Sequence, residues 1–417
     1  MKVIIAEAGS AHNIGSMALI ENAINIVRKK HGNCEIVVLS SDPLPTYRTL
    51  KIDNLDQNVV VKDDLFIFPK GGVIKKMFWL FITFLWILYT RCILLFSSNL
   101  SHFIIGRRKK LLLDIEQAEY IYCIGAERIN DVYYKTALLS LYALGTYIKM
   151  RKKIIHLSLT IGPVFYKSTI MVAKRILNKS YAIFVRDQKS YDLLIKWGIK
   201  APYKFNAYDI ALLQNIDKNK SEKLLNEFHV KPGFIGVSVL YWHFRKAIGP
   251  ARMPEYYKAF ADALDYLVLK YNVDILMTPT VIGDSYHQSD DITGDEIIKM
   301  MKYSNRVVNI HRLLTPVELS TLYTHCKFSI VTRMHSAILC SGAGGHPVIA
   351  VNYLYKLREY MKNIGFEDYS VDIDYINSKD LKGFIDKMME NYDYNISKLR
   401  KRQVEMQNKL INYLSQI

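Results

Sequence analysis

Arginine, histidine and lysine recur where apolar runs end, a placement suited to holding an anion and moving a proton. The sharpest cluster is Val331-Thr332-Arg333-Met334-His335-Ser336, followed by Gly342-Ala-Gly-Gly-His-Pro347 and Asn352-Tyr353-Leu-Tyr-Lys356. Around one strand–helix–strand unit it gathers a guanidinium, an imidazole that titrates near neutrality, and an ammonium. A second cluster, Val185-Arg186-Asp187-Gln-Lys-Ser190, sets an Arg–Asp pair at a strand end. Such a pair either caps the following helix or grips an oxyanion. Gly9-Ser-Ala-His-Asn-Ile-Gly15-Ser16 stands between a strand and a helix, where amides and the helix dipole suit a phosphate or carboxylate. Gly125-Ala-Glu-Arg-Ile-Asn-Asp131 and Thr160-Ile-Gly162-Pro163 complete the set. Glycines at such turns also serve geometry alone.

These clusters need a scaffold that brings strand ends together, and the hydrophobic pattern supplies one. In the first half, strands are expected at Val3–Ala6, Glu35–Leu39, Tyr120–Ile124, Ile154–Leu159 and Ala182–Val185. Helices are expected at Met17–Lys30, with Ser16 as N-cap, and at Thr136–Lys149, Thr169–Asn178 and Lys189–Trp197. A polar stretch, Gln214–Lys231, reads as a domain boundary. Beyond it, strands are expected at Phe234–Val239, Val273–Thr278, Val307–Asn309, Phe328–Val331 and Val348–Val351. Helices follow at Pro254–Tyr271, Asp295–Lys302, Pro316–Cys326 and His335–Gly342. This alternation implies parallel sheets with helices on both faces. The fold class is therefore α/β, with two tandem Rossmann-like domains over residues 1–215 and 232–378 and a crevice at the carboxyl ends of their strands. A polar helical tail is expected over 379–417.

With 417 residues, half of them hydrophobic and 23% charged, the chain can bury two such cores. A disordered chain and a small disulfide scaffold are excluded. The five cysteines (Cys34, Cys92, Cys123, Cys326 and Cys340) are scattered and form no Cys-x-x-Cys pair. A reducing compartment follows, and the first apolar run is too short for a signal peptide, so a cytoplasmic protein is expected. Lys and Arg number 56 against 39 Asp and Glu, a net charge of +17 that implies an anionic partner. Nucleic acid is not expected, because the chain carries no helix-turn-helix, zinc-finger or RNP pattern.

The positive charge is concentrated. Leu65 to Leu113, an insertion in the first domain, holds eight basic residues and no acid, around the apolar run Met77–Phe96. That run reads as a transmembrane span, a buried core helix or an element lying in a membrane surface. Strand-like segments on either side that belong to one sheet argue against a span. Basic clusters at both ends (Lys75 and Lys76, Arg107 to Lys110) favour the surface of an anionic leaflet, where each cation contributes about 1 kcal/mol.

Taken in order, several motifs resemble the polysaccharide pyruvyl transferases over most of the chain. They are Asn13-Ile-Gly15, Ile161-Gly162-Pro163, Arg186-Asp187-x-x-Ser190, Asp209-Ile-Ala-Leu, Arg333-Met334-His335-Ser336, Gly-His-Pro347, Tyr353-x-x-Lys356 and Asp368-Tyr369-Ser-Val-Asp372. The resemblance implies a GT-B-type arrangement with an interdomain cleft. It implies a ketal-pyruvyltransferase that moves pyruvate from phosphoenolpyruvate onto two hydroxyls of a sugar and releases phosphate. The acceptor would be an undecaprenyl-linked surface-polysaccharide precursor, met at the inner face of the bacterial cytoplasmic membrane.

By the same resemblance, Arg186 and Arg333 would hold the phosphate and carboxylate of phosphoenolpyruvate, with Met334, Lys356, Gly15 and Ser16 around it. His335 would be the acid/base residue, and His12, Asn13, Glu127 and Trp242 would meet the acceptor. Neither cofactor nor metal is implied; Asp372-Ile-Asp374 has the shape of a sugar-nucleotide metal motif but lies in a segment that matches the family pattern. Two loops depart from that pattern, with Ser16 where Asp is usual and Gly125-Ala126-Glu127 where glycines run. They would reshape the acceptor side or mark a different donor. A GT-B-type glycosyltransferase using a nucleotide sugar and a non-catalytic binding paralogue are the other readings of this frame.

Overall fold

Runs of β-branched residues form parallel strands buried on both faces, and the chain carries two sets of them. A computed structural model describes all residues except 68, 70, 126, 245–248 and 284–288, and leaves out the side chains of 107, 133, 135 and 136. Lys70 and the Arg107 side chain of the basic stretch, Ala126 of the glycine loop, and the side chain of Thr136 therefore lie outside the described residues. The first sheet comprises β1 (Lys2–Ala8), β2 (Glu35–Ser40), β3 (Val59–Asp63), β4 (Ala118–Cys123), β5 (Lys153–Leu159), β6 (Ala182–Val185) and β7 (Tyr203–Asn206). The second comprises β8 (Ile235–Ser238), β9 (Ile275–Met277), β10 (Val307–Asn309), β11 (Ser329–Val331), β12 (Val348–Asn352) and β13 (Ser370–Asp372).

Both sheets are doubly wound. Their orders are β3-β2-β1-β4-β5-β6-β7 and β10-β9-β8-β11-β12-β13, with every pair parallel. The order reverses between β1 and β4 and again between β8 and β11. Ligands in such sheets sit outside the strand ends at these reversals.

The chain folds as two compact units. One holds residues 1–11, 19–209 and 413–417, and the other holds 12–18 and 210–412. The polar stretch 214–231 falls inside the second unit. The tail consists of two helices, Ser378–Glu390 and Tyr392–Ser415.

Three strands escape the hydrophobic pattern, β3, β7 and β13, and all are sheet edges; the fourth edge, β10, lies where it was expected. Their residues are mostly half-exposed, and Tyr203-Lys-Phe-Asn206 and Ser370-Val-Asp372 have no apolar run to betray them. The helices Pro43–Ile52, Arg107–Gln117, Ser221–Glu227 and Tyr355–Ile364 were likewise not expected. The first helix begins at Ile14 and not Met17. Its cap is Asn13, whose Oδ1 accepts the amide of Gly15 at 2.9 Å, so Ser16 is a residue of the first turn. The helix expected at Asp295–Lys302 runs from Asp290 to Ile298. Among the described residues one helix, Val73–Phe96, is long and apolar enough to cross a membrane; only 17% of its most apolar stretch is buried, which sets aside an ordinary core helix.

At the β1/β4 reversal a carboxylate is buried. Glu7 takes a left-handed backbone, φ +63°, and Arg128 Nη2 donates to its carbonyl at 3.3 Å. The Ser140 hydroxyl donates to its side chain. A Cβ at Gly125 would fall 2.7 Å from the Cβ of Glu7, so only glycine lets the two loops meet. Burial, against the pull of Arg128, pushes the Glu7 carboxyl from 4.5 up to about 7. Between those values the folded chain keeps a proton that the unfolded chain releases, so this group costs stability as pH rises through the window and no further above it. The stability of wild type relative to Glu7→Gln is expected to fall by about 3 kcal/mol over that rise. Urea unfolding of both at a series of pH values checks it, and a constant difference would refute it.

Candidate active site

The β8/β11 reversal in the second unit carries the Arg-Met-His motif. Thr332 continues from β11, its amide donating to Ser238 O at 2.7 Å, and Arg333 then caps the helix Met334–Ser341. From Val331 to Cys340 every residue is buried except Arg333 and His335, which keep partial exposure. Arg333 thus keeps a surface that a ligand can meet, while the Nε2 of His335 is itself buried. Met334 packs into the core, so it can offer a ligand only its backbone. The first amides of this short helix add a partial positive charge at the same place.

Arg333 is held by a carboxylate that the sequence pattern does not reveal. Its Nη2 donates to Asp290 Oδ1 at 2.6 Å and its Nε to Oδ2 at 3.2 Å, a two-point grip that leaves the Nη1 edge for a second anion. Asp290 is buried and also accepts the amides of Thr280 at 3.1 Å and Val281 at 2.9 Å. Burial raises its carboxyl above the usual range, against Arg333 and those amides. For Arg333 burial works downward, but Asp290 outweighs it and the guanidinium rises further. Starting the helix at Asp295 hid Asp290, which is its first residue.

The same stretch seats the glycine loop. Ile14 N donates to Thr280 O at 2.9 Å, Ile282 N donates to His12 O at 3.1 Å, and Asn13 bridges Val281. This docking brings the first turn of the helix Ile14–His31 against His335. A Cβ at Gly15 would lie 2.2 Å from His335 Nδ1, so the imidazole occupies the space that the missing side chain leaves. His12, Asn13, Gly15, Ser16, Arg333 and His335 therefore belong to one constellation around Thr280–Ile282.

A group of aromatic residues stands beside it. Tyr353 meets Trp242 edge to face at 5.1 Å, and Lys356 Nζ lies 5.6 Å from its ring centre. Tyr353 is also close enough to act on the charge of Arg333, as is Tyr256, whose hydroxyl bonds Thr332 Oγ1 at 2.8 Å. Tyr353 was visible in its motif; Tyr256 had no signal beyond its helix. Asp372, of the metal-like Asp-x-Asp, pairs with Arg358.

Arg186 and Glu127 lie in the first unit. Arg186 is buried, and its partner is not the adjacent Asp187 but Asp209, at 2.7 Å, with Thr160 Oγ1 on Nε at 2.7 Å. Burial lowers its basicity, and Asp209 and Glu127 more than restore it. Asp187 caps the following helix through the Ser190 amide at 2.8 Å. These contacts hold both side chains of the Arg-Asp motif in place within the first unit.

From residue 13 to residue 355 the chain matches the family model described as polysaccharide pyruvyl transferase. The chain belongs to that family. Membership makes it a transferase of pyruvyl groups in exopolysaccharide biosynthesis, with a polysaccharide acceptor. The amylovoran biosynthesis protein AmsJ of Erwinia amylovora is 22% identical over 410 residues, covering 94% of this chain and 93% of its own.

Solved structures share the fold of this pyruvyl transferase at much lower identity. MnaA of S. aureus, solved with UDP, has a TM-score of 0.58 at 10% identity and covers 100% of this chain and 97% of its own. Anabaena HepE, in complex with UDP, gives 0.57 at 14%, covering 100% and 98%. The UDP-GlcNAc 2-epimerase of Neisseria meningitidis, bound to UDP-GlcNAc, gives 0.56 at 11%, covering 99% and 100%. They establish the α/β fold of GT-B type with two Rossmann-like domains.

Gly15→Ala separates site geometry from fold in this pyruvyl transferase. Alanine favours a helix by about 1 kcal/mol over glycine, yet its methyl must displace the His335 ring. Turnover is expected to fall about 100-fold while the thermal midpoint stays within a few degrees. Unchanged turnover would show that the ring position is immaterial.

Proposed function

We propose that the chain transfers pyruvate from phosphoenolpyruvate onto a sugar of a lipid-linked surface-polysaccharide precursor, closing a cyclic ketal and releasing phosphate. The observation that carries this reading is the paired exposure of Arg333 and His335 at a strand–helix junction where all their neighbours are buried. A guanidinium locked on one edge by Asp290 presents its other edge in a fixed direction, which suits the phosphate or carboxylate of phosphoenolpyruvate. The amides that begin the helix Met334–Ser341, and Lys356 beside Tyr353, would add to the positive field.

The reaction begins when an acid protonates the methylene carbon, leaving an oxocarbenium-like centre next to the carboxylate. A sugar hydroxyl adds to that centre and loses its proton, phosphate departs, and a second hydroxyl of the same sugar closes the ring with loss of its proton. His335 is the group that gives the first proton and takes one back. Proton movement of this kind contributes roughly 10²–10⁴-fold. Arg333 neutralises the substrate's anionic ends throughout. Arg186 is buried in the first unit, with Thr160 on its Nε and Asp209 on its Nη1.

His335→Ala is expected to lower turnover by about 10²–10⁴-fold with little effect on phosphoenolpyruvate affinity. Arg333→Ala is expected to abolish phosphoenolpyruvate binding in a calorimetric titration. Wild-type rates in both variants would overturn the site. Binding of a nucleotide sugar and not of phosphoenolpyruvate would overturn the donor in favour of a glycosyltransferase.

A further inference from the structure

The helix Val73–Phe96 is amphipathic in the inverted sense. Its inward face is marked by Trp79, Thr83, Trp86, Thr90 and Leu94, at helical spacing, and includes both of its threonines. The body of the first unit holds that face with polar and aromatic contacts. Thr90 bonds the Tyr142 hydroxyl, Trp86 meets Phe66 edge to face at 5.7 Å, and the Arg91 guanidinium lies over the Tyr142 ring at 4.5 Å. Phe78, Phe81, Ile82, Phe84, Leu85 and Leu88 point the other way, each at least 44% exposed. Water therefore meets the more apolar side, a contiguous patch far beyond the scattered hydrophobics of an ordinary surface.

Charge identifies what covers it. Lys75 and Lys76 stand in the first turn, Lys109 and Lys110 open the next long helix, and no acid occurs between Leu65 and Leu113. Behind the helix runs a groove of about 850 Å³ lined by Trp79, Trp86, Ile105, Arg108 and Lys110, with Asp63 and Asp64 on the wall that β3 supplies. Apolar face, aromatic groove and cationic rim match the layers of a lipid leaflet from acyl chain to headgroup phosphate. A second copy of the chain fits poorly, since pairing two such faces would set Lys75 and Lys76 against their own copies, and the helix itself carries no carboxylate to answer them. A span fits poorly too, because the body grips one side of the helix along the half from Trp86 to Leu94.

We propose that the outward face of Val73–Phe96 docks the protein on an anionic lipid leaflet, the helix lying in the interfacial layer with its lysines on the headgroup phosphates. The inference stands on this face alone and would survive a different reaction at the site of Arg333.

Co-sedimentation of the full-length chain with phosphatidylcholine vesicles, with and without about 30 mol% phosphatidylglycerol, tests it. Binding is expected to the anionic vesicles, to weaken with salt, and to fall at least about tenfold in Phe81→Glu/Leu85→Glu/Leu88→Glu and in Lys75→Glu/Lys76→Glu. Since these side chains face solvent, unchanged circular dichroism and phosphoenolpyruvate binding in the variants would show that only docking was lost. Wild type left in the supernatant, equal binding to neutral vesicles, or binding untouched by the substitutions would overturn the proposal. So would a dimer in sedimentation velocity that the apolar variant dissolves, or vesicle attachment that only detergent reverses.

Discussion

The carboxylate of Asp290 ties together the parts of the second unit that carry chemistry. Two backbone amides from Thr280 and Val281 and two N–H groups on one edge of the Arg333 guanidinium converge on it. A buried ion pair is a weak source of net stability, since desolvation offsets most of the attraction, but it is costly to break once made. Its value here is direction. The strand-to-helix junction alone would leave a long flexible arginine; the carboxylate turns it into a fixed edge. The stretch that supplies the amides also supplies the carbonyls and amides that dock His12 and Ile14. The position of the His335 ring therefore depends on the same few residues.

The first unit uses the same device for another end. Arg186 and Asp209 form an equally close pair, but both are sealed from solvent, with Thr160 taking the remaining Nε. Nothing in the residue types distinguishes the two arginines. What differs is exposure: about a quarter of the Arg333 side chain meets solvent, against a twentieth for Arg186.

Legibility in the sequence followed the same physics. Central strands such as β1, β8 and β12 are buried along most of their length and read as plain apolar runs. Tyr203–Asn206, a half-wet edge strand without an apolar run, passed unseen, whereas the edge strand Val307–Asn309 was legible from its paired valines. Arg333, His335 and the Gly15 turn stood out because their residue types are unusual at strand ends. The partners that orient them did not. Asp290 is one acid in a run of polar residues, and only tertiary docking brings it within reach of a residue 43 positions later. The role of Gly15 was legible as a turn but not as a berth for an imidazole, since no local pattern announces a ring from the far half of the chain.

Residues 12–18 group with the second unit, although the strand before them and most of the helix after them belong to the first. On a ribosome this has a consequence for order of assembly. The loop that seats His335 emerges first, and its docking partners at 280–282 and its guest ring follow more than 260 residues later. The first sheet can zip up beforehand, but its opening helix must wait with an unfinished N-terminus. A nascent chain therefore holds these residues apart until His335 itself has emerged, so the constellation around Thr280–Ile282 comes together in one step.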